Sequence, residues 1–559
     1  MIDPQKQQTD RYFANTHTVE NQPPELENYN LFEQDTALKE AVEREGAGWA
    51  RQDISSFGEK VGRASYIELG FQANEHKPVL HSHNRFGQRV DLVKFHPAYH
   101  ELMKTSIENG LHSSPWTNPK PGAHVARSAK FYLQSQIEAA HCCPITMTFA
   151  AIPSLRTQPD LAKIWEPLIT SQHYDAANIP SNQKQGITIG MAMTEKQGGS
   201  DVRANSTKAY PVSQGGSGQL YELVGHKYFV SAPMCDAFLM LAQAPGGLSC
   251  FLVPRWLADG NKNPLQFLRL KDKMGNVANA SSETELRGAL GYMVGEEGRG
   301  VKTIIEMVSL TRFDCMTGSA AGQRLAVAHA THHCHYRSAF GAKLDQQPLM
   351  QNVLADLTLE QEGSLAFTMR MARSLDNQQD ESEQLLMRLG TAVGKYWICK
   401  RTPNHAYEAM ECIGGSGVME NSIFPRMFRE SPINAIWEGS GNVQCLDVLR
   451  AISKTPAVVD VFFNEVDKAK GSNNILDNFV LKLKNELTDL NDIEYRARNI
   501  VDRLALAMQG SLLVRNGNSM ISDLFCASRL SHNGGHNIGT MPKMGDCASI
   551  IERARPSAP

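Results

Sequence analysis

Residues 433 to 450 read Ile-Asn-Ala-Ile-Trp-Glu-Gly-Ser-Gly-Asn-Val-Gln-Cys-Leu-Asp-Val-Leu-Arg. One carboxylate, Glu438, stands between an apolar, aromatic run (Ile433, Ala435, Ile436, Trp437) and a Gly-Ser-Gly turn that reads as a helix start. A carboxylate among apolar side chains loses solvation of its charged form, so its pKa rises toward a value suited to taking a proton. The turn makes Ser440 a candidate N-cap and offers unpaired backbone N–H groups, a place for a phosphate or other anion. A candidate base thus lies beside a candidate cofactor cradle. Taken alone, a Glu-Gly pair is more often a turn at a helix end.

Around this stretch the chain runs to 559 residues, too long for one core, so a few domains are expected. A net charge of -3 argues against a globally basic nucleic-acid binder and leaves a local patch open. Neither a secretory leader nor an apolar run of the roughly 18 residues needed for a membrane span is visible, so a cytoplasmic protein with no membrane contact is expected. Eleven cysteines at irregular spacing, with no CxxC pair, point to reduced thiols rather than zinc.

The order of textures predicts an α+β fold. Residues 1–185 read as a helical domain: Asp35 caps a helix over Thr36–Arg44, and Val125, Ala129, Tyr132, Leu133, Ile137 and Ala140 recur at helical spacing. Residues 186–300 change to short β-prone runs between Gly, Pro and Asn turns, which predicts a small antiparallel sheet or barrel. Residues 301–450 return to helices as a bundle, with Val301, Ile304, Ile305 and Val308 forming an apolar stripe that continues onto Arg312. A cation on a core-facing stripe needs an anionic or π partner. Residues 451–559 read as an extra helical domain: Val480 to Met508 follow one long amphipathic helix with a break at Glu494. The Gly-, Asn- and Ser-rich end is expected to be loose, as is the polar start, Met1 to Glu20.

Three further segments carry chemistry. Met193-Thr-Glu-Lys-Gln-Gly-Gly-Ser-Asp-Val202 offers hydroxyls at Thr194 and Ser200, and Gly198-Gly199 lets backbone approach a flat ring or a phosphate; a surface turn is the bland alternative. Gly225-His-Lys-Tyr-Phe-Val-Ser231 places Phe229 and Ser231 on one face of a strand, able to cover a cofactor ring and bond its edge, or simply to form a half-buried strand. In Tyr336-Arg-Ser-Ala-Phe-Gly341, Arg337 is a candidate for a pyrophosphate. His329, His332, His333 and His335 lack an acidic ligand at matching spacing, so no metal site is expected there and a partly solvated helix face is.

In this order and spacing, together with Gly414-Gly-Ser-Gly417, these segments resemble the flavin-dependent acyl-CoA dehydrogenase family, most closely from about 185 to 450. His17-Thr-Val-Glu-Asn-Gln-Pro-Pro24, Glu43-Arg-Glu-Gly-Ala-Gly-Trp49, Cys143-Pro-Ile-Thr-Met-Thr-Phe149, Leu310-Thr-Arg-Phe-Asp-Cys315 and the C-terminal extension are similar to the family's branch tied to the adaptive response to DNA alkylation. The resemblance implies FAD as cofactor and Glu438 as the catalytic residue that removes the α-proton of an acyl-CoA, an oxidoreductase acting on CH–CH donors. Some family members carry the base just before an arginine on a helix; here that position is Thr311, which cannot serve. The implied cofactor contacts are Met193, Thr194, Gly199, Ser200, Phe229, Val230, Ser231, Ile436, Trp437, Gly439, Ser440, Gly441 and Asn442. Arg337 is implied to reach the pyrophosphate across a subunit interface, which implies a homo-oligomer, a tetramer. Trp437 replaces the usual tyrosine, Phe229 the usual tryptophan and Glu411 the usual glutamine.

The same branch implies a second partner, double-stranded DNA, bound through the C-terminal domain largely without sequence preference. Residues 451–559 hold 13 Lys+Arg against 12 Asp+Glu, so a footprint requires clustering of Arg450, Arg496, Arg498, Arg503, Arg515 and Arg529 on one face. The alternative is a metabolic short- or branched-chain acyl-CoA dehydrogenase using Glu438.

Overall fold

A computed structural model describes residues 17–531 and 534–557. The expectation for Met1 to Glu20 therefore lies mostly outside the described residues.

The helices that position the site are numbered α1 (Ala123–Ile137), α2 (Cys142–Arg156), α3 (Gly300–Tyr336), α4 (Pro348–Asp376), α5 (Glu381–Ile413), α6 (Gly441–Lys454) and α7 (Ile493–Arg515). The N-terminal part is helical as the periodicity predicts. Asp35 accepts a hydrogen bond from the Leu38 N–H at 3.0 Å and starts the helix Thr36–Arg44. One piece departs from the helical expectation: Val79–His83 (β1) and Arg89–Lys94 (β2) form an antiparallel hairpin. The turn is Asn84-Arg-Phe-Gly87, with Asn84 accepting from Phe86 and Gln88 and Gly87 at φ 79°. Alternation of this kind was concealed by its short length and by the histidines in β1.

The middle region holds β3 (Ile189–Ala192), β4 (Lys208–Pro211), β5 (Leu220–Ser231), β6 (Ala237–Ala244), β7 (Gly247–Pro254), β8 (Leu265–Leu270) and β9 (Ser281–Val294). The sheet runs β3-β6-β4-β5-β9-β7, and a β6–β7 pairing closes it into a small barrel. Most pairs are antiparallel, but β3 and β4 run parallel to β6. Inside the sheet, Lys227 Nζ meets Glu195 Oε1 at 2.9 Å with both side chains fully buried. Glu195 also accepts from Ser206 and Thr207, so the loop carrying Thr194 is bolted to β5 from beneath.

Helices α3, α4 and α5 pack with α1 and α2 around one core. Arg127 forks onto Asp314, tying α1 to α3 by a fully buried pair. Ile304 and Val308 are buried as expected, whereas Ile305 is exposed. Of the four histidines, His329 and His335 are half-buried, as a partly solvated face requires, and the other two are not. His332 and His333 are buried, and the His332 ring bonds the Pro24 carbonyl. No metal-competent group occurs among the described residues.

The C-terminal segment corrects two expectations. The long helix is two, Asn474–Glu486 and α7, separated by a turn in which Leu490 is 69% exposed. Among the described residues the end is not loose either: Cys547–Ala554 is a helix packed on α4, with Arg553 bonded to Glu362 and Glu40. Composition concealed this because Ile550, Ile551 and Ala554 fill one buried face of a short helix. Buried Arg370 of α4 grips Glu383 at the start of α5 and Glu465, which also holds Arg515 of α7. The extension therefore shares the bundle's core.

Beneath the bundle, His141 Nδ1 lies 2.9 Å from Glu138. Burial opposes its charge, but the Cys142 sulphur and the Glu138 carboxylate outweigh it and raise its pKa to about 10. A histidine raised in this way contributes stability in full below its unfolded pKa of about 6.5, and the contribution disappears as pH rises through the folded value. Urea midpoints are expected to fall between about pH 7 and 10, and His141→Gln is expected to flatten that slope.

Candidate functional site

Glu438 lies between the one-turn helix Ile433–Ile436 and α6. Its backbone is left-handed, φ 57°, followed by Gly439 at φ 98°. A non-glycine residue held there costs about 1–3 kcal/mol and persists only where its surroundings impose it. They do. Arg312 Nε donates to the Glu438 carbonyl at 2.8 Å, and Lys395 Nζ donates to the carbonyls of Trp437, at 2.7 Å, and Gly439. Gln444 Nε2 donates to the same Glu438 and Gly439 carbonyls. The carboxylate accepts from Thr311 Oγ1 at 3.1 Å. Desolvation raises the Glu438 pKa above the ordinary glutamate value, while Arg312, the Thr311 hydrogen bond and Lys395 pull against it. The group is thus set as an acceptor for a proton in a strained, fixed position.

Arg312 finds the anionic partner its place on the stripe demands, Asp447 of α6 at 3.1 Å. Trp437 is pinned by its indole N–H to Asn434 Oδ1 at 2.8 Å, and Asn434 in turn donates to Ser319 of α3. Lys395, Asn434 and Asp447 were missed in the sequence. Asp447 alone left a signal, an acid on the inward face of an amphipathic helix.

The β-region candidates assemble separately. Tyr228 N–H donates to the Thr194 carbonyl at 2.8 Å, which sets the Met193–Ser200 loop against β5. The Met193 carbonyl accepts from Asn205. Phe229 is exposed and Ser231 half-buried on the same face of β5, while Val230 points inward and is buried. The loop after β8 joins this half to the other, since the Asn276 N–H donates to Glu430, eight residues before Glu438.

The implied flavin can be tested against these residues. Gly199 admits no side chain, because a Cβ would stand 2.3 Å from Thr194 Oγ1. Phe229 is 41% exposed, with Lys271 Nζ 4.7 Å from its ring centroid, and it shares a strand face with the Ser231 hydroxyl. Ser440 occupies the N-cap position of α6, but its side chain makes no cap bond, which leaves the first N–H groups of Gly441 and Asn442 free for an anion. Gln444 Oε1 is buried without a partner. Ring platform, hydroxyl and anion cradle fit a flavin nucleotide.

Ile436 is exposed beside Trp437. Arg337 is not at this site: 25 residues of α3 separate it from Arg312, roughly 37 Å at 1.5 Å per residue. It donates to the Asn21 carbonyl, next to a tight hairpin with the fully exposed Phe340 at its tip. Of the six basic candidates, Arg503 pairs with Glu486, Arg515 with Glu465, and Arg529 with Asp356 and Glu360. Arg498 Nε donates to Asn442 Oδ1 at 2.8 Å. Arg496 bonds the carbonyls of Asp489 and Asn491, and Arg450 stands near Asp447 with its side chain 60% exposed.

Comparison with known proteins follows the same division of the chain. Residues 21–176 match the profile of the adaptive response protein AidB N-terminal domain, 190–289 the acyl-CoA dehydrogenase middle domain, and 298–453 the acyl-CoA dehydrogenase C-terminal domain. The sequence is 45% identical to AidB of Escherichia coli (strain K12) over 93% of this chain and 95% of that protein. It is 30% identical to acyl-CoA dehydrogenase family member 11 of Caenorhabditis elegans over 77% of this chain and 71% of that one. Among solved structures, C. elegans ACDH-11 in complex with C11-CoA superposes with a TM-score of 0.84 at 26% identity, covering 92% of both chains.

Proposed function

The chain belongs to the acyl-CoA dehydrogenase family, within its AidB group, and from that premise we propose a flavoprotein of the adaptive response to DNA alkylation that binds duplex DNA and retains a dehydrogenase-type site. The observation that carries the site is Glu438 fixed in a left-handed turn beside an uncapped helix start. FAD, the cofactor of the family, supplies the hydride acceptor when bound. Thr194, Ser200, Phe229 and Ser231 would hold its ring, and the 439–442 turn its polar part. Glu438 takes a proton from the carbon α to a thioester carbonyl, and the desolvation that raises its pKa makes it the stronger base. Arg312 and Lys395 fix the backbone carbonyls of residues 437–439, and the Thr311 hydroxyl holds the carboxylate. The distance from Arg312 to Arg337 supports a homo-oligomer, a tetramer, in which a second subunit brings its Arg337 to this cofactor.

For DNA, the contacts narrow to Arg450, Arg496 and Arg498, since the other three arginines stand 2.9 Å or closer to carboxylates within the fold, whereas Arg450 and Arg496 lie 3.6 and 3.8 Å from Asp447 and Asp489. Binding is expected to be phosphate-dominated and indifferent to sequence. Anisotropy titrations with unrelated duplexes over a salt series are expected to show affinity falling linearly on a log–log plot. Arg450→Gln and Arg496→Gln are each expected to reduce that slope by about one. No rise in anisotropy at low salt would remove DNA from the reading. Because the C-terminal helices share the bundle's core, point variants test this and truncation does not.

A further inference from the structure

Asp447, buried on α6, serves three arginines at once. Arg312 Nη1 stands 3.1 Å from its carboxylate, Arg388 approaches with both terminal nitrogens at 3.1 and 2.8 Å, and Arg450 lies 3.6 Å away. Two guanidinium charges are therefore left uncompensated. Arg388 and Arg450 are the two that reach solvent, with side chains 42% and 60% exposed, whereas Arg312 is enclosed. At 3.6 Å Arg450 makes no hydrogen bond to Asp447, so its donors are free for an oxyanion, and guanidinium forks match phosphate geometry. The inner arginine is the one that donates to the Glu438 carbonyl. A continuous line of contacts thus runs from surface cations through Asp447 and Arg312 to Glu438.

We propose that Arg388 and Arg450 form a receptor for a phosphate ester, and that its occupancy is linked through Asp447 and Arg312 to the proton on Glu438. The linkage rests on Glu438 being the base of the site. An anion that draws the two outer arginines off Asp447 leaves that carboxylate to Arg312 alone. The positive potential at Glu438 falls and its protonated form is favoured. Binding then takes up protons, and by reciprocity it tightens as pH falls through the titration of Glu438.

The other groups around Glu438 do not share this coupling. Lys395 on α5 is held by the carbonyls of Trp437 and Gly439 and does not touch Asp447. Thr311 on α3 and Gln444 on α6 are neutral. Burial pushes the thiols of Cys315 on α3 and Cys143 on α2 well above their ordinary values. Lys273, beside Cys143, is lowered to about 8 by burial and makes no contact with Asp447 or the outer arginines.

Phosphodiester backbone and the phosphates of coenzyme A share this chemistry, and calorimetry separates them. The full-length FAD-loaded protein is titrated over a series of pH values with a short unrelated duplex and, separately, with coenzyme A, each in two buffers of different ionisation enthalpy. For one of the two probes, affinity is expected to fall about tenfold in Arg450→Gln and further in Arg388→Gln/Arg450→Gln. Thermal midpoints should be little changed, because Asp447 keeps Arg312. Binding of that probe to the parent protein is expected to take up a fraction of a proton, and Glu438→Gln to abolish the uptake while leaving affinity near the parent value. A response to duplex alone assigns the backbone, and a response to coenzyme A alone assigns the nucleotide. Unchanged affinity for both probes in the double variant overturns the receptor. Proton uptake that survives in Glu438→Gln overturns the linkage, and loss of flavin reduction in that variant reports separately on the base.

Discussion

Glu438→Gln is expected to slow reduction of the bound flavin by acyl-CoA about 10²–10⁴-fold, the usual contribution of a positioned general base. Anaerobic mixing with a panel of acyl-CoAs, followed by loss of the oxidised-flavin absorbance, measures it. The amide keeps the shape of the side chain and its hydrogen bond with Thr311, and Arg312, Lys395 and Gln444 all act on backbone carbonyls. FAD content and thermal midpoint are therefore expected to match the parent. A variant that bleaches as fast as the parent would remove Glu438 from the chemistry. Thr311 offers no substitute, since a threonine hydroxyl does not ionise in this range.

Glu195→Ala is expected to give the largest loss of stability, about 3–5 kcal/mol, by stripping the partner from a fully buried lysine. Burial already lowers the Lys227 pKa, and Glu195 is the group that opposes the shift. Without it Lys227 keeps one acceptor, the Leu241 carbonyl. The Ser206 and Thr207 N–H groups also lose their acceptor, so the Thr194 loop loses its side-chain anchor and is left on β5 by the Tyr228 N–H. A lower urea midpoint together with weaker FAD retention is expected. Lys227→Met/Glu195→Leu is expected to recover most of the stability, because it removes both charges together. Equal destabilisation in the double variant would place the loss elsewhere.

Much of this was legible in the sequence because local rules carried it. The Asp35 cap, the period of α1, the sheet between two helical parts and the demand for an anion beside Arg312 each depend on a few neighbouring residues. Glu438 and its glycine turn were legible for the same reason. What escaped depends on contacts distant in sequence. Lys395 reaches Trp437 across 42 residues, and Arg370 reaches Glu465 across 95, so no spacing rule reveals either. His332 and His333 of α3 were misplaced because a polar row on a helix reads as solvated until a second layer covers it. The break before α7 was invisible because Leu490 continues the apolar period while pointing into solvent.

Helix α3 also acts as a ruler. Arg312 is fixed near one part of it and Arg337 at its end, with no kink-forming proline between them. One inserted residue would advance the far end by about 1.5 Å and turn it by about 100°, aiming Arg337 at a different quadrant. Seven would restore the heading and overshoot by roughly 10 Å. The register between these two arginines is thus a quantity that drift in sequence cannot change by small steps, and the hairpin carrying Phe340 inherits it.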